Sequence, residues 1–234
     1  TKLPILKILY ANSPVLDDSD GKYNEKAKQG DIYNEVTGSL YKSKEGVYVV
    51  PCLFINTWNE WADRGDSPGR PYAIYVSQKD QEAAVGKTQR GDDGKDRLEN
   101  GHYVEDTGNH FVYILDKDFN PIESAVITMK STQKKKSKLW NSMMQSKRMK
   151  GKNGYFIPPS WASVYKLTTT KESGGGNNWF GWVVEFVKFL DKPDDKGTLE
   201  ITKGFYEGAK QSDIFGKVEF AEDKNKIVKE DVPF

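Results

Sequence analysis

The chain of 234 residues holds one cysteine, Cys52, and two histidines, His102 and His110. It has no apolar run approaching the roughly 20 residues that span a bilayer. A lone cysteine excludes an internal disulfide and suits a reducing compartment. One thiol and two imidazoles do not make zinc-ligand spacing, so no metal and no cofactor is expected. The opening stretch, TKLPILKILYANSP, lacks the apolar core and small-residue cleavage site of a signal peptide. These absences together predict a soluble protein of the cytoplasm with no membrane segment.

The most informative shortage is of acid. Ser124 through Lys171 contain no aspartate or glutamate in 48 positions, although the whole chain carries 34 acidic residues. Eleven basic residues fall there: Lys130, Lys134, Lys135, Lys136, Lys138, Lys147, Arg148, Lys150, Lys152, Lys166 and Lys171. A net charge of +1 leaves −10 for everything else. Such segregation predicts one strongly positive surface on a nearly neutral protein. Most lysine runs only solvate a helix. Here Trp140, Tyr155, Phe156, Trp161 and Tyr165 are interleaved with the cations.

Lysines beside aromatics suit a single-stranded nucleic acid. Phosphates are attracted through counterion release, and unpaired bases stack on aromatic faces. Lysine is a point charge rather than a bidentate reader of base edges, which favours backbone tracking without sequence preference. The expected phosphate contacts are Lys130, Lys134, Lys135, Lys136, Lys138, Lys147, Arg148, Lys150 and Lys152, with Lys171 at the base of a glycine-rich hairpin. The expected stacking pool is Trp140, Tyr155, Phe156, Trp161 and Trp179, a minority of them true contacts. Trp182, Phe186 and Phe111 are expected in the core.

The strand signals lie at 47–61, 110–116, 122–129, 162–171 and 179–190, the last two flanking ESGGGNN as a hairpin. One helix is predicted over 131–149, capped by Ser131 or Thr132 and ended by Gly151 and Gly154. Its apolar stripe would comprise Leu139, Trp140, Met143 and Met144, with Lys130, Lys134, Lys138 and Arg148 opposite. A second helix is predicted around 197–213. Residues 62–109 read as a polar insertion with a short strand at 72–76. Residues 217–234 read as a flexible tail, following a single domain of residues 1–216. Five strands with a helix between the third and fourth match the plan of the OB-fold, a small barrel. A two-sheet sandwich accounts less well for the helix position.

The last five residues, EDVPF, resemble the acidic tip of bacterial single-stranded DNA-binding proteins, which ends Asp-Asp-Ile-Pro-Phe. Asp231, Pro233 and Phe234 match outright, and Glu230 and Val232 conservatively. The resemblance implies a docking peptide whose acids meet a basic rim while Phe234 fills a pocket on a replication or recombination partner. Two further blocks, GDIYNEVTGSLY (30–41) and SAVITMKSTQKKKSKLWNSMM (124–144), resemble a family of bacteriophage proteins treated as single-stranded DNA-binding proteins. That likeness implies a replication and recombination accessory of a phage, and it transfers no catalytic or contact residue.

Two other classes remain open. Trp58 and Trp61, three apart in NTWNEW, could stack on sugar rings in a carbohydrate-binding or virion surface module. The acidic clusters DDSD (17–20) and RGDDGKD (90–96) could hold a cation in a metal-dependent nuclease, although Asp- and Gly-rich turns have this composition anyway. No nucleophile–base arrangement is legible, so the expected protein is not an enzyme.

Overall fold

The computed structural model describes residues 4–63, 65–66 and 69–212. Among them the protein is mainly β, with thirteen strands and three α-helices. The described residues divide into two compact units: 4–55 with 107–212, and 56–106. The second begins six residues ahead of the expected insertion and contains most of it.

The first unit opens with three short antiparallel strands, β1 (Leu6–Ile8), β2 (Ile32–Asn34) and β3 (Leu40–Tyr41). Strand β4 (Val47–Trp61) follows and passes into the second unit, where β5 (Ala73–Tyr75) pairs with its end. That unit continues with helix α1 (Gln78–Val85), β6 (Gln89–Arg90) and β7 (Asp96–Arg97). Strand β8 (Tyr103–Leu115) pairs first with β7 and then, back in the first unit, with β9 (Pro121–Lys130). Helix α2 (Lys134–Ser146), a hairpin of β10 (Met149–Gly151) and β11 (Gly154–Phe156), and strands β12 (Ser163–Gly174) and β13 (Asn177–Phe189) come next. Helix α3 (Lys196–Gln211) ends the described chain.

The five long strands of the first unit are neighbours in the order β13-β12-β4-β8-β9. Counted from β4, the consecutive strands β12-β4-β8-β9 run fourth, first, second, third, which is the Greek-key order. The sheet curls, and β1 lies against both outer strands, β9 and β13. A parallel bridge joins Ile5 to Val126 at that edge.

Strand alternation gives the sheet two apolar faces. Val47, Val49, Val112, Ile114, Ile127, Tyr165, Leu167 and Trp182 form one core with Leu6, Ile8 and Ile32. Val50, Cys52, Leu115, Val164 and Leu190 form the other, covered by Leu199, Phe205 and Tyr206 of α3. Threonine hydroxyls fasten that helix: Thr198 donates to Phe119 O at 3.1 Å and Thr202 to Trp161 O at 2.9 Å. Burial pushes the Cys52 thiol up to about 12, so it stays protonated and unreactive.

The β12–β13 hairpin closes through Gly175 and Gly176, both at positive φ (56° and 78°), as a two-residue turn of this twist requires. Gly108 serves a different need. A Cβ there would lie 2.4 Å from Ser137 Oγ and 3.2 Å from Phe54, so α2 seats on β8 only over a bare backbone. Gly108→Ala is expected to cost about 1–3 kcal/mol through overpacking, read as a lower urea midpoint with an unchanged m-value.

The expected helix over 131–149 is shorter at both ends. Ser131–Gln133 form a 3-10 turn, so α2 starts at Lys134 without the side-chain cap assigned to Ser131 or Thr132. Lys147 is already extended, and residues 149–156 pair as a hairpin. Helix α1 lies within the stretch expected as a polar insertion, and SQKD is its N-cap signal: Ser77 accepts from Asp80 N at 3.1 Å. The expected tail, 217–234, and its tip lie outside the described residues.

Candidate nucleic-acid interface

Helix α2 is held by its inward face. Ser137 and Trp140 are fully buried, and Trp140 stacks on His110 with ring centroids 4.4 Å apart. His110 Nε2 meets Ser137 Oγ at 2.8 Å. Burial, aided by the charge of Lys134, pushes the His110 imidazole down to about 3. The ring is therefore neutral in the folded protein. Because the unfolded chain takes up a proton near pH 6.5 and the folded one does not, stability falls with pH below that value. The expected loss is about 2 kcal/mol between pH 7 and 5, and His110→Gln should remove this component. Urea midpoints of both proteins at pH 7 and pH 5 check it.

This anchoring redistributes the sequence-predicted site. Trp140, placed in the stacking pool, has no exposed face because Tyr165 and His110 cover it. Lys134 is 9% exposed, not on an open phosphate-facing side. Leu139, expected in the apolar stripe, points outward at 59% exposure, while Met143 and Met144 pack on the core. Trp161 is half-buried beneath α3 beside Tyr206. Lys147 lies over the Phe186 ring, 4.2 Å from its centre. Lys136 bonds Glu172 at 2.7 Å, and Glu172 also accepts from Trp179 Nε1 at 2.9 Å. Those hydrogen bonds and the Lys136 charge hold the Glu172 carboxyl below its ordinary value. Lys136 and Trp179 are thus tied to the β12–β13 hairpin, with Lys171 exposed beside them. Lys130 is half-buried at the end of β9.

The remaining residues converge. In the β10–β11 hairpin, Lys150 stands opposite Tyr155 and Met149 opposite Phe156, with Lys152 in the turn. Tyr155 is 74% exposed and Phe156 44%. Arg148, also exposed, donates to the carbonyls of Gln145 (2.7 Å) and Lys147 (3.0 Å), bracing the hairpin's entry at the C-terminal end of α2, whose negative partial charge favours a cation. Tyr155 and Phe156 are exposed on opposite faces of this hairpin, Tyr155 with Lys150 and Phe156 with Met149, and Arg148, Lys150 and Lys152 surround them inside the acid-free block.

Behind the hairpin lies an open cleft of about 390 Å³. Leu53, Phe54, Met144, Ile157 and Pro158 form apolar walls, and His110 belongs to its lining. The polar contribution comes from the carboxamides of Asn141 and Gln145, one turn apart on α2, with Ser160 and the neutral His110. Sequence reading missed this cleft, because its walls come from segments that only the fold brings together.

A family model described as Pam3 phage gp34-like protein matches residues 1–214. The chain belongs to this phage protein family. No curated protein and no solved structure matches the chain. No helix among the described residues is long and apolar enough to cross a membrane.

The second unit holds other polar clusters. Glu60 accepts from Tyr75 Oη (2.6 Å), His102 Nδ1 (2.7 Å) and Asn100 Nδ2 (3.2 Å). Burial opposes ionisation there, but those donors hold its carboxyl below the usual value. Asp63 is drawn down to about 2 by Arg97 and Lys95. The 90–96 acids are largely engaged by cations: Arg97 pairs with Asp93 and Arg90 with Asp96. Among the described residues no three carboxylates, histidines or cysteines converge as a metal site. Trp58 and Trp61 lie on one strand, whose period of two turns them to opposite faces, and both are half-buried.

Proposed function

We propose that the protein binds single-stranded DNA without marked dependence on sequence, as a non-enzymatic accessory of phage DNA replication or recombination. The observation that carries this reading is the β10–β11 hairpin, which sets Tyr155 and Phe156 in solvent beside Arg148, Lys150 and Lys152. Aromatic faces supply stacking of about 1–3 kcal/mol per base, and the cations supply phosphate attraction. The Greek-key order of the long strands supports an OB-like barrel, partly open where β1 lies against the outer strands. A platform of Trp58 and Trp61 for sugars is disfavoured because both rings are half-buried. The tip Glu230, Asp231, Val232, Pro233 and Phe234 is proposed to recruit a partner to the coated strand.

Six basic residues of the block are exposed: Lys135, Lys138, Arg148, Lys150, Lys152 and Lys171. If each neutralises one phosphate, log K for a dT oligonucleotide falls with log salt at a slope of about −4. Lys150→Ala with Lys152→Ala should make the slope shallower by about 1.4. Fluorescence anisotropy of labelled dT30 between 50 and 300 mM salt measures both, and a salt-independent affinity would contradict the reading.

A further inference from the structure

We infer that the cleft between α2, β4 and the segment after the hairpin takes one unstacked base of the bound strand and reads its edge with Asn141 and Gln145. This rests on the single-strand reading above and limits its sequence tolerance at one nucleotide.

The cleft differs in chemistry from what surrounds it. The acid-free block is dense with cations, yet none of the cleft's lining residues is charged. An uncharged, apolar-walled space suits a neutral heterocycle and repels a phosphate. Its volume, about 390 Å³, is at the small end of ligand sites, room for a base rather than a folded oligonucleotide. Bases withdrawn from a stack are held between apolar side chains and hydrogen-bonded along an edge. Leu53, Phe54 and Met144 supply the walls here, and Ile157, next in the chain after Phe156, joins the cleft to the end of β11.

Charge places the strand's backbone on the same side. Lys138, Asn141 and Gln145 are spaced i, i+3 and i+7, so they share one face of α2. Lys138 is exposed there, while Arg148 and Lys150 stand at the helix end. A strand whose phosphates follow these cations past the hairpin can turn one base into the cleft. A carboxamide offers an acceptor and a donor side by side, which matches adenine N6–H and N7. Adenine is therefore the favoured occupant.

The test compares wild type with the double variant Asn141→Ala and Gln145→Ala, using dA15 and dT15 at fixed salt. Both side chains reach solvent, so the variant should keep the wild-type urea midpoint. Ile157→Ala, at a 46% exposed position, is the second variant. In the double variant the dA15:dT15 affinity ratio should drop at least about fivefold, the low end of a bidentate base contact. Its salt slope on dT15 should stay unchanged, and Ile157→Ala should weaken both oligonucleotides together. Binding by wild type with the same ratio in the double variant would overturn the base cleft and leave single-strand binding standing. Failure of wild type to bind either oligonucleotide would remove the single-strand reading itself, and this inference with it.

Discussion

Trp140→Ala is expected to destabilise the protein by about 3–5 kcal/mol, a large fraction of a typical stability of about 5–15 kcal/mol. The indole is fully buried, lies flat against His110, and meets Tyr165 edge-on at 5.8 Å. Removing it leaves a cavity between α2 and the first core, and it also strips the cover from a neutral imidazole that has only Ser137 as its Nε2 partner. Neither neighbour can collapse into the space, because Gly108 already holds the helix as close to β8 as backbone allows. Urea unfolding followed by circular dichroism should show the midpoint falling with little change in slope. A variant with wild-type stability would mean that Trp140 is not the anchor of α2.

Tyr155→Ala combined with Phe156→Ala should do the opposite. Tyr155 extends into solvent and Phe156 is close to half exposed, so stability should change by no more than about 0.5 kcal/mol per site. Affinity for dT30 should fall by about 2–6 kcal/mol, one stacked base being lost at each ring. The salt slope should persist, since the phosphate contacts remain. Anisotropy titrations at 50 mM salt, with the urea midpoint as control, separate the two effects. Loss of affinity with loss of fold would assign the rings to structure instead of binding.

These two predictions mark where the sequence was readable. Long strands of alternating apolar residues, such as 47–55 and 122–129, announced themselves by period, and β4, β9, β12 and β13 stand within a few residues of expectation. The three strands of the N-terminal sheet are too short to carry a period, so β1, which lies against both outer strands, was invisible. The acid-free block was legible as composition, and Lys150, Lys152, Tyr155 and Phe156 do come together. Composition cannot tell a buried aromatic from an exposed one. Trp140 and Trp161 carry the same letter that a stacking residue would, yet each is claimed by packing, against His110 and beneath α3. The helical stripe misled for a related reason: Leu139 and Trp140 are adjacent, and only the close seating over Gly108 decides which of them turns inward. Asn141 and Gln145 gave no signal, because two carboxamides line a cleft only when β4 and Pro158 stand opposite them.

Burial of Trp140 also changes how binding should be watched. The exposed rings are a tyrosine and a phenylalanine, so tryptophan quenching is a weaker reporter than the motion of a labelled strand. The most direct measurement is anisotropy of labelled dT30 and of a matched 30-base-pair duplex, titrated with the wild-type chain at 50 and 200 mM salt. Binding of dT30 that weakens steeply with salt, with the duplex bound far less tightly, is the predicted result. Equal affinity for the duplex, or no binding to either at low salt, would contradict the account.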